Sequence, residues 1–148
     1  MRRNKYIPLM LSVLLGMTLG GCGGSGGTTE QYTVALVAKS TQTEFWLSVF
    51  AGAEAAATEY NLELTVVGPE TEEDYETQNQ MVEEAVRQGA DAIVFSAIDF
   101  ENNAAAIDSA AQQGVRIVAI DSNVDSDQVS TYIGTDNYAA GQMAAQAA

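Results

Sequence analysis

Histidine is absent from the 148 residues, cysteine occurs once and proline only twice. A lone cysteine excludes an intramolecular disulfide, and in an exported protein it calls for an explanation. Cations are scarce. Of the six Lys and Arg residues, Arg2, Arg3 and Lys5 fall in the first five positions. From Cys22 onward only Lys39, Arg87 and Arg116 remain against all 20 acidic residues, a balance of −17. Such a surface repels nucleic acid and anionic lipid, so no nucleic-acid partner is expected. No P-loop is present, and no dinucleotide-type glycine loop or nucleophile elbow stands between a strand and a helix. With histidine missing as well, this argues against an enzyme. The acidic run Glu70 to Asp74 lies at a helix start, where the dipole favours negative charge, and is not read as a metal site. No metal and no cofactor are expected.

What is present begins with an address. Arg2, Arg3 and Lys5 form a basic start, and Ile7 to Leu19 is an apolar run shorter than the ~20 residues a spanning helix requires. Small residues follow, as before a signal-peptidase cut. Leu19-Gly20-Gly21-Cys22 resembles the bacterial lipobox, in which the cysteine becomes the lipidated first residue of the mature protein. That resemblance implies a signal peptide over residues 1–21, a palmitate-bearing lipid anchor on Cys22, and a place at the cell membrane on its extracytoplasmic face. Residues 22–31, rich in Gly and Ser, read as a flexible tether.

The body is read from its apolar runs. Thr33–Ala38, Leu62–Val67, Ala92–Phe95, Val115–Ile120 and Val129–Ile133 are short and mostly unalternated, as suits parallel strands buried on both faces. Between them lie helical patterns. One runs from about Glu44 to Asn61, with Phe45, Val49, Ala53, Ala56 and Ala57 able to share a face. A second carries Tyr75, Met81, Val82, Ala85 and Val86 and stops at Gly89. A third occupies Phe100 to Gly114. Gly134 to Asn137 can cap a last helix over Tyr138–Ala148. Strand and helix alternation of this kind is a doubly wound α/β layer with a parallel sheet. The sequence stops inside the last helix, and it is read as the first part of a longer chain. Each central strand is followed at once by polar residues, Ser96 and Asp99 after the third and Asp121 and Ser122 after the fourth. In open α/β sheets, ligands bind beyond these carboxyl ends.

From Thr33 onward the chain resembles the type I periplasmic binding proteins, the ribose/allose/arabinose group of sugar ABC-transport receptors. The likeness rests on Val34 to Ser40 with Phe45-Trp46, on Gly89 to Val94, on Gly114 to Asp121, and on Ile133 to Asn137. It implies two lobes with the sugar between them. Residues 32–134 would be the N-terminal lobe, and residues 135–148 the start of a second lobe, with Asp136 and Asn137 as hinge and cap residues. It further implies capture of a monosaccharide or similar polyol and delivery to an ABC permease. The alternative is a sensor that hands a sugar or signal molecule to a membrane kinase or chemoreceptor. The effector domain of a LacI-type repressor shares the fold, but a signal peptide stands where DNA-binding helices would be.

The same resemblance implies ligand residues. Phe45 and Trp46 match the aromatic pair that stacks on the sugar ring; at least one is expected at the ligand, the core being the other place for either. Lys39 and Asp121 match residues that bond sugar hydroxyls, and Ser96 and Gln42 are further candidates. Departures are visible. Ser122 stands where ribose-type members have arginine, Ser96 where they often have asparagine, and Thr43-Glu44 replaces Asn-Pro. The missing bidentate donor argues against ribose itself.

Overall fold

A computed structural model describes residues 31–147, so the leader, Cys22 and all of the tether but Gln31 lie outside the described residues. Five strands, β1 (Thr33–Val37), β2 (Glu63–Val67), β3 (Ala92–Phe95), β4 (Arg116–Ile120) and β5 (Val129–Ile133), form one sheet in the order β2-β1-β3-β4-β5. Every neighbouring pair is parallel. Helices α1 (Glu44–Tyr60), α2 (Tyr75–Arg87) and α3 (Ala104–Gln112) each fill one crossover. β4 reaches β5 through a loop, and α4 (Asn137–Ala147) follows. The register between β4 and β5 shifts at Ile117/Val118. The doubly wound parallel architecture is therefore as the sequence predicts.

Alternate residues of the inner strands feed two cores. Ala35, Val37, Ile93, Phe95 and Ile117 meet Val82 and Ala85 of α2 and Ile107 and Ala110 of α3. Leu36 and Ala38 point to the other face, where Trp46 and Phe50 of α1 pack with Leu64, Val66, Val94 and Ile120. Burial on both faces is why these strands read as unbroken apolar runs.

The apolar stripe of α1 is turned from the expected one. Trp46 and Phe50 are its buried residues, with Val49 and Ala53 partly buried, whereas Phe45 is 56% exposed. The i, i+4 pair Trp46/Phe50 offers more apolar area than any face containing Phe45, and it decides which side of the helix meets the sheet. The third helix starts at Ala104 rather than near Phe100. Asp99 Oδ1 accepts from the N–H groups of Glu101 (3.0 Å) and Asn102 (2.8 Å), holding that stretch as a turn. Helix ends follow local chemistry. Asn61 closes α1 at φ 52°, and Gly89 after α2 and Gly114 after α3 adopt φ 83° and 92°. Thr43 Oγ1 accepts from Trp46 N at 3.4 Å, Asp74 Oδ1 from Thr77 N at 2.9 Å, and Asp136 Oδ1 from Ala139 N at 2.9 Å. Asp136 is thus a helix cap as expected.

Candidate functional site

The chain turns left from β1 to β2 and right from β3 through β4 to β5, so the order reverses between β1 and β3. At such a switch point the two crossovers depart in opposite directions and leave a crevice at the carboxyl ends of the strands. Lys39 closes β1, Ser96 closes β3 and Asp121 closes β4. The structure brings these three side chains together. Lys39 Nζ lies 2.9 Å from Asp121 Oδ2, and Ser96 Oγ donates to the same oxygen at 3.3 Å. Ser122, standing where the family resemblance leads one to expect arginine, turns its hydroxyl onto Asp121 Oδ2 as well, at 3.3 Å. Ser96 is fully buried, while the side chains of Lys39 and Asp121 keep 18% and 39% of their surface.

Asp121 holds a left-handed backbone, φ 58°. Few residues other than glycine accept this, and aspartate is among them. Its neighbours fix it there: Asp121 N donates to Ile133 O at 2.9 Å, and the Tyr132 hydroxyl donates to Asp121 O at 2.8 Å. A Cβ on Gly134 would overlap the Tyr132 ring, so glycine at that position gives the ring its place. The strained turn presents one carboxylate oxygen to three donors and leaves Oδ1 without a donor among the described residues. The result is a carboxylate acceptor beside an ammonium with further N–H bonds to give.

The other candidates are placed differently. Phe45 and Trp46 separate. Phe45 is exposed on the first turn of α1, and Trp46, 1% exposed, is in the core. The two rings meet edge to face at 5.1 Å. Trp46 is therefore corrected from a ligand candidate to a core residue whose indole N–H donates to Glu72 Oε1 at 2.9 Å. That bond and the one from Ser40 Oγ to Glu70 O (3.3 Å) tie the acidic loop before α2 to the first turn of α1 and to the segment after β1. Gln42 is exposed, its amide donating to Thr41 Oγ1, and it does not join the Lys39–Asp121 cluster. Asp136 and Asn137 lie at the start of α4, also apart from it.

Sequence reasoning missed Gln78, Tyr132 and Glu72. Gln78 is fully buried and bonds the ends of two site strands. The signal for it was its position: Gln78, Val82 and Ala85 stand at i, i+4 and i+7 on the apolar face of α2.

A shallow hollow of about 270 Å³ lies in the acidic loop between β2 and α2, lined by Thr71, Glu73, Asp74, Tyr75 and Glu76, and two other concave surfaces lie away from the cluster. A groove of about 590 Å³ runs along the amino ends of the strands, lined by Tyr32, Val34, Asp91, Ala92, Gly114 and Arg116. A smaller cavity of about 110 Å³ lies under α2 by Thr65, Val67 and Met81. The groove holds polar side chains, but Asp91 Oδ2 is taken by Thr33 N at 2.8 Å and no two side chains of its wall bond one another among the described residues, whereas Lys39, Ser96 and Asp121 converge on one oxygen.

Known proteins bear on this geometry. The model of the periplasmic binding protein domain matches residues 34–148. The ribose import binding protein of Bacillus subtilis (strain 168) is 28% identical over 121 residues, covering 82% of this chain and 39% of that protein. The D-allose-binding periplasmic protein of Escherichia coli (strain K12) is 25% identical over 149 positions, covering 96% and 46%. Among solved structures, the carbohydrate transporter solute binding protein from Agrobacterium radiobacter, in complex with D-arabinose, superposes with a TM-score of 0.74 at 31% identity, over 80% of this chain and 40% of that one. The chain thus spans less than half the length of the curated relatives it matches.

Proposed function

Because the chain belongs to the periplasmic binding protein domain family, we propose that it supplies one lobe of an extracytoplasmic receptor that captures a monosaccharide or similar polyol and delivers it to an ABC permease. The observation that carries the reading is the meeting of Lys39, Ser96 and Asp121 from three strands at the β1/β3 switch point. A sugar presents hydroxyls that each donate and accept. The Asp121 carboxylate accepts from one hydroxyl, and the Lys39 ammonium donates to its neighbour. Hydrogen bonds to charged groups are the strong ones, and a buried hydroxyl left unmatched costs about 1–3 kcal/mol, which is a basis for selection. Phe45, exposed on the first turn of the helix that follows β1, offers a plane for the C–H face of the ring. In this reading residues 32–134 form the first lobe and residues 135–148 open the second, with Asp136 and Asn137 at the hinge. The second lobe covers the site when sugar is bound.

Calorimetry on the intact receptor with D-ribose, D-allose and D-arabinose tests it. At least one sugar should titrate, and Asp121→Asn should weaken it tenfold or more. The loss of one charged hydrogen bond is worth about 1.5–3 kcal/mol, and about 1.4 kcal/mol is a factor of ten. Stability should fall by no more than about 1 kcal/mol, the range for a partly exposed ion pair. Wild-type protein that binds none of the three, or an Asp121→Asn variant that binds as wild type does, overturns the reading.

The anchor is a second part of the proposal. Leu19-Gly20-Gly21-Cys22 supports lipidation of Cys22 and attachment to the outer face of the cell membrane. Mass spectrometry of membrane-extracted protein should find diacylglycerol on Cys22; an unmodified Cys22 with the leader attached contradicts it.

A further inference from the structure

We propose that Gln78 is the positioning residue of the site: a buried amide that stands in for a missing rung of the sheet and so sets the opening between β1 and β3. The inference rests on the reading of Lys39, Ser96 and Asp121 as the ligand site.

In the parallel register Val37 faces Phe95, and Ser96 N donates to Val37 O at 3.2 Å. Were the ladder to continue, the next bonds of β3 would run from Lys39 N to Ser96 O and from Ile98 N to Lys39 O. Gln78 takes both places. Its Nε2 donates to Ser96 O at 2.8 Å, and its Oε1 accepts from Ile98 N at 3.1 Å. The second proton of Nε2 goes to Ala38 O at 3.0 Å. One side-chain amide thus satisfies the end of β3 as a peptide would and still holds the last carbonyl before Lys39. The ladder can end here, and Lys39 leaves the sheet, without exposing bonding groups of the strand to an apolar interior. That divergence lies directly beneath the Lys39–Ser96–Asp121 cluster.

The amide is itself held firmly. Gln78 is 0% exposed, and the next residue on α2, Asn79, accepts from the Asn103 amide at 2.7 Å and donates to Asn102 O at 3.1 Å. Asn103, also fully buried, accepts from Asp99 N at 2.9 Å through its other end. Helix α2 is thereby tied to the loop that follows β3. On the two sides of Gln78 stand Lys39, next to Ala38, and Ser96 itself, which meet on Asp121 Oδ2. The spacing that Gln78 sets between β1 and β3 is the spacing between these two donors. Binding groups must keep their productive geometry to within about 0.5 Å, so the amide is expected to govern affinity without touching the ligand.

The test uses the intact receptor and whichever of D-ribose, D-allose and D-arabinose titrates with wild type. Gln78→Met keeps length and apolar volume and removes all three bonds. Gln78→Asn keeps the amide but withdraws it by one methylene, so that it no longer reaches both strands. With folding verified by circular dichroism at the titration temperature, Gln78→Met should weaken binding at least tenfold and Gln78→Asn by a smaller factor. Combined with Asp121→Asn, Gln78→Met should add much less than its own factor, because both changes act on one arrangement; two independent losses would multiply. Tight binding by Gln78→Met while Asp121→Asn loses tenfold overturns the role of Gln78 and leaves the site standing. Full multiplication of the two losses, or failure of both Gln78 variants to fold, makes Gln78 a structural residue only and also overturns it. An unaffected Asp121→Asn variant refutes the site reading, and this inference with it.

Discussion

Lys39 and Asp121 are 82 positions apart in sequence and 2.9 Å apart in space, and nothing but the order of the strands brings them together. Each was legible as a polar residue closing an apolar run. Their pairing was not, because it depends on β1, β3 and β4 being placed with their ends in line. Phe45 and Trp46 show the opposite limit. Adjacent aromatics on a helix point about 100° apart, so one can be core while the other is free, but the sequence alone did not reveal which. Packing against Phe50 and the bond to Glu72 put Trp46 inside. The two residues should therefore fail in different ways. Trp46→Ala should destabilise the fold by about 3–5 kcal/mol, as large-to-small changes in a core do. Phe45→Ala should cost little beyond its edge contact with Trp46, about 0.5–1.5 kcal/mol, yet weaken sugar binding. Denaturant unfolding and calorimetry on both variants check this. A Phe45→Ala variant with intact affinity would remove that ring from the site.

Among the elements, the strands were the most legible. Ala92–Phe95 and Val129–Ile133 have the bounds the apolar runs predicted, and the other three differ by a residue at one end. Unbroken β-branched runs between turn residues leave little freedom of assignment. Helix faces were harder to read. In α1 the expected Val49, Ala53, Ala56 and Ala57 are partly buried, but the stripe centres on Trp46 and Phe50 and leaves out Phe45, and that of α2 hid a buried glutamine among apolar neighbours. Only the cap within Gly134–Asn137 was read from the sequence; the Thr43 and Asp74 caps emerge from the structure, and the aspartates that accept backbone N–H bonds carry a pH dependence. Hydrogen bonds from Thr77 hold the Asp74 carboxyl below the usual aspartate range, and those from Asn102, then Glu101, do the same for Asp99. A carboxyl whose pKa is lower in the folded state stabilises the fold at pH above the ordinary value, about 3.9. That contribution is lost as pH falls through the folded value. Thermal melts of wild type and Asp74→Ala should therefore differ at about pH 7 and converge toward about pH 3. A difference that stays constant or grows with acid would contradict the capping role.

At the scale of the molecule, the parallel sheet buried on both faces and the polar residues beyond its carboxyl ends were legible together, because one βαβ unit encodes both. The amino ends of the same strands carry the larger groove, with Tyr32, Asp91 and Arg116 on its wall, and shape alone would favour that end. Sugar is expected at the other end, over the cluster of Lys39, Ser96 and Asp121. Hydrogen exchange on the intact receptor, with and without a saturating cognate sugar, distinguishes the two, since bound ligand slows local opening where it sits. The expected result is protection in residues 39–46, 96–99 and 121–123, with residues 32–34 and 113–116 unchanged. Protection of the second set without the first would contradict the account.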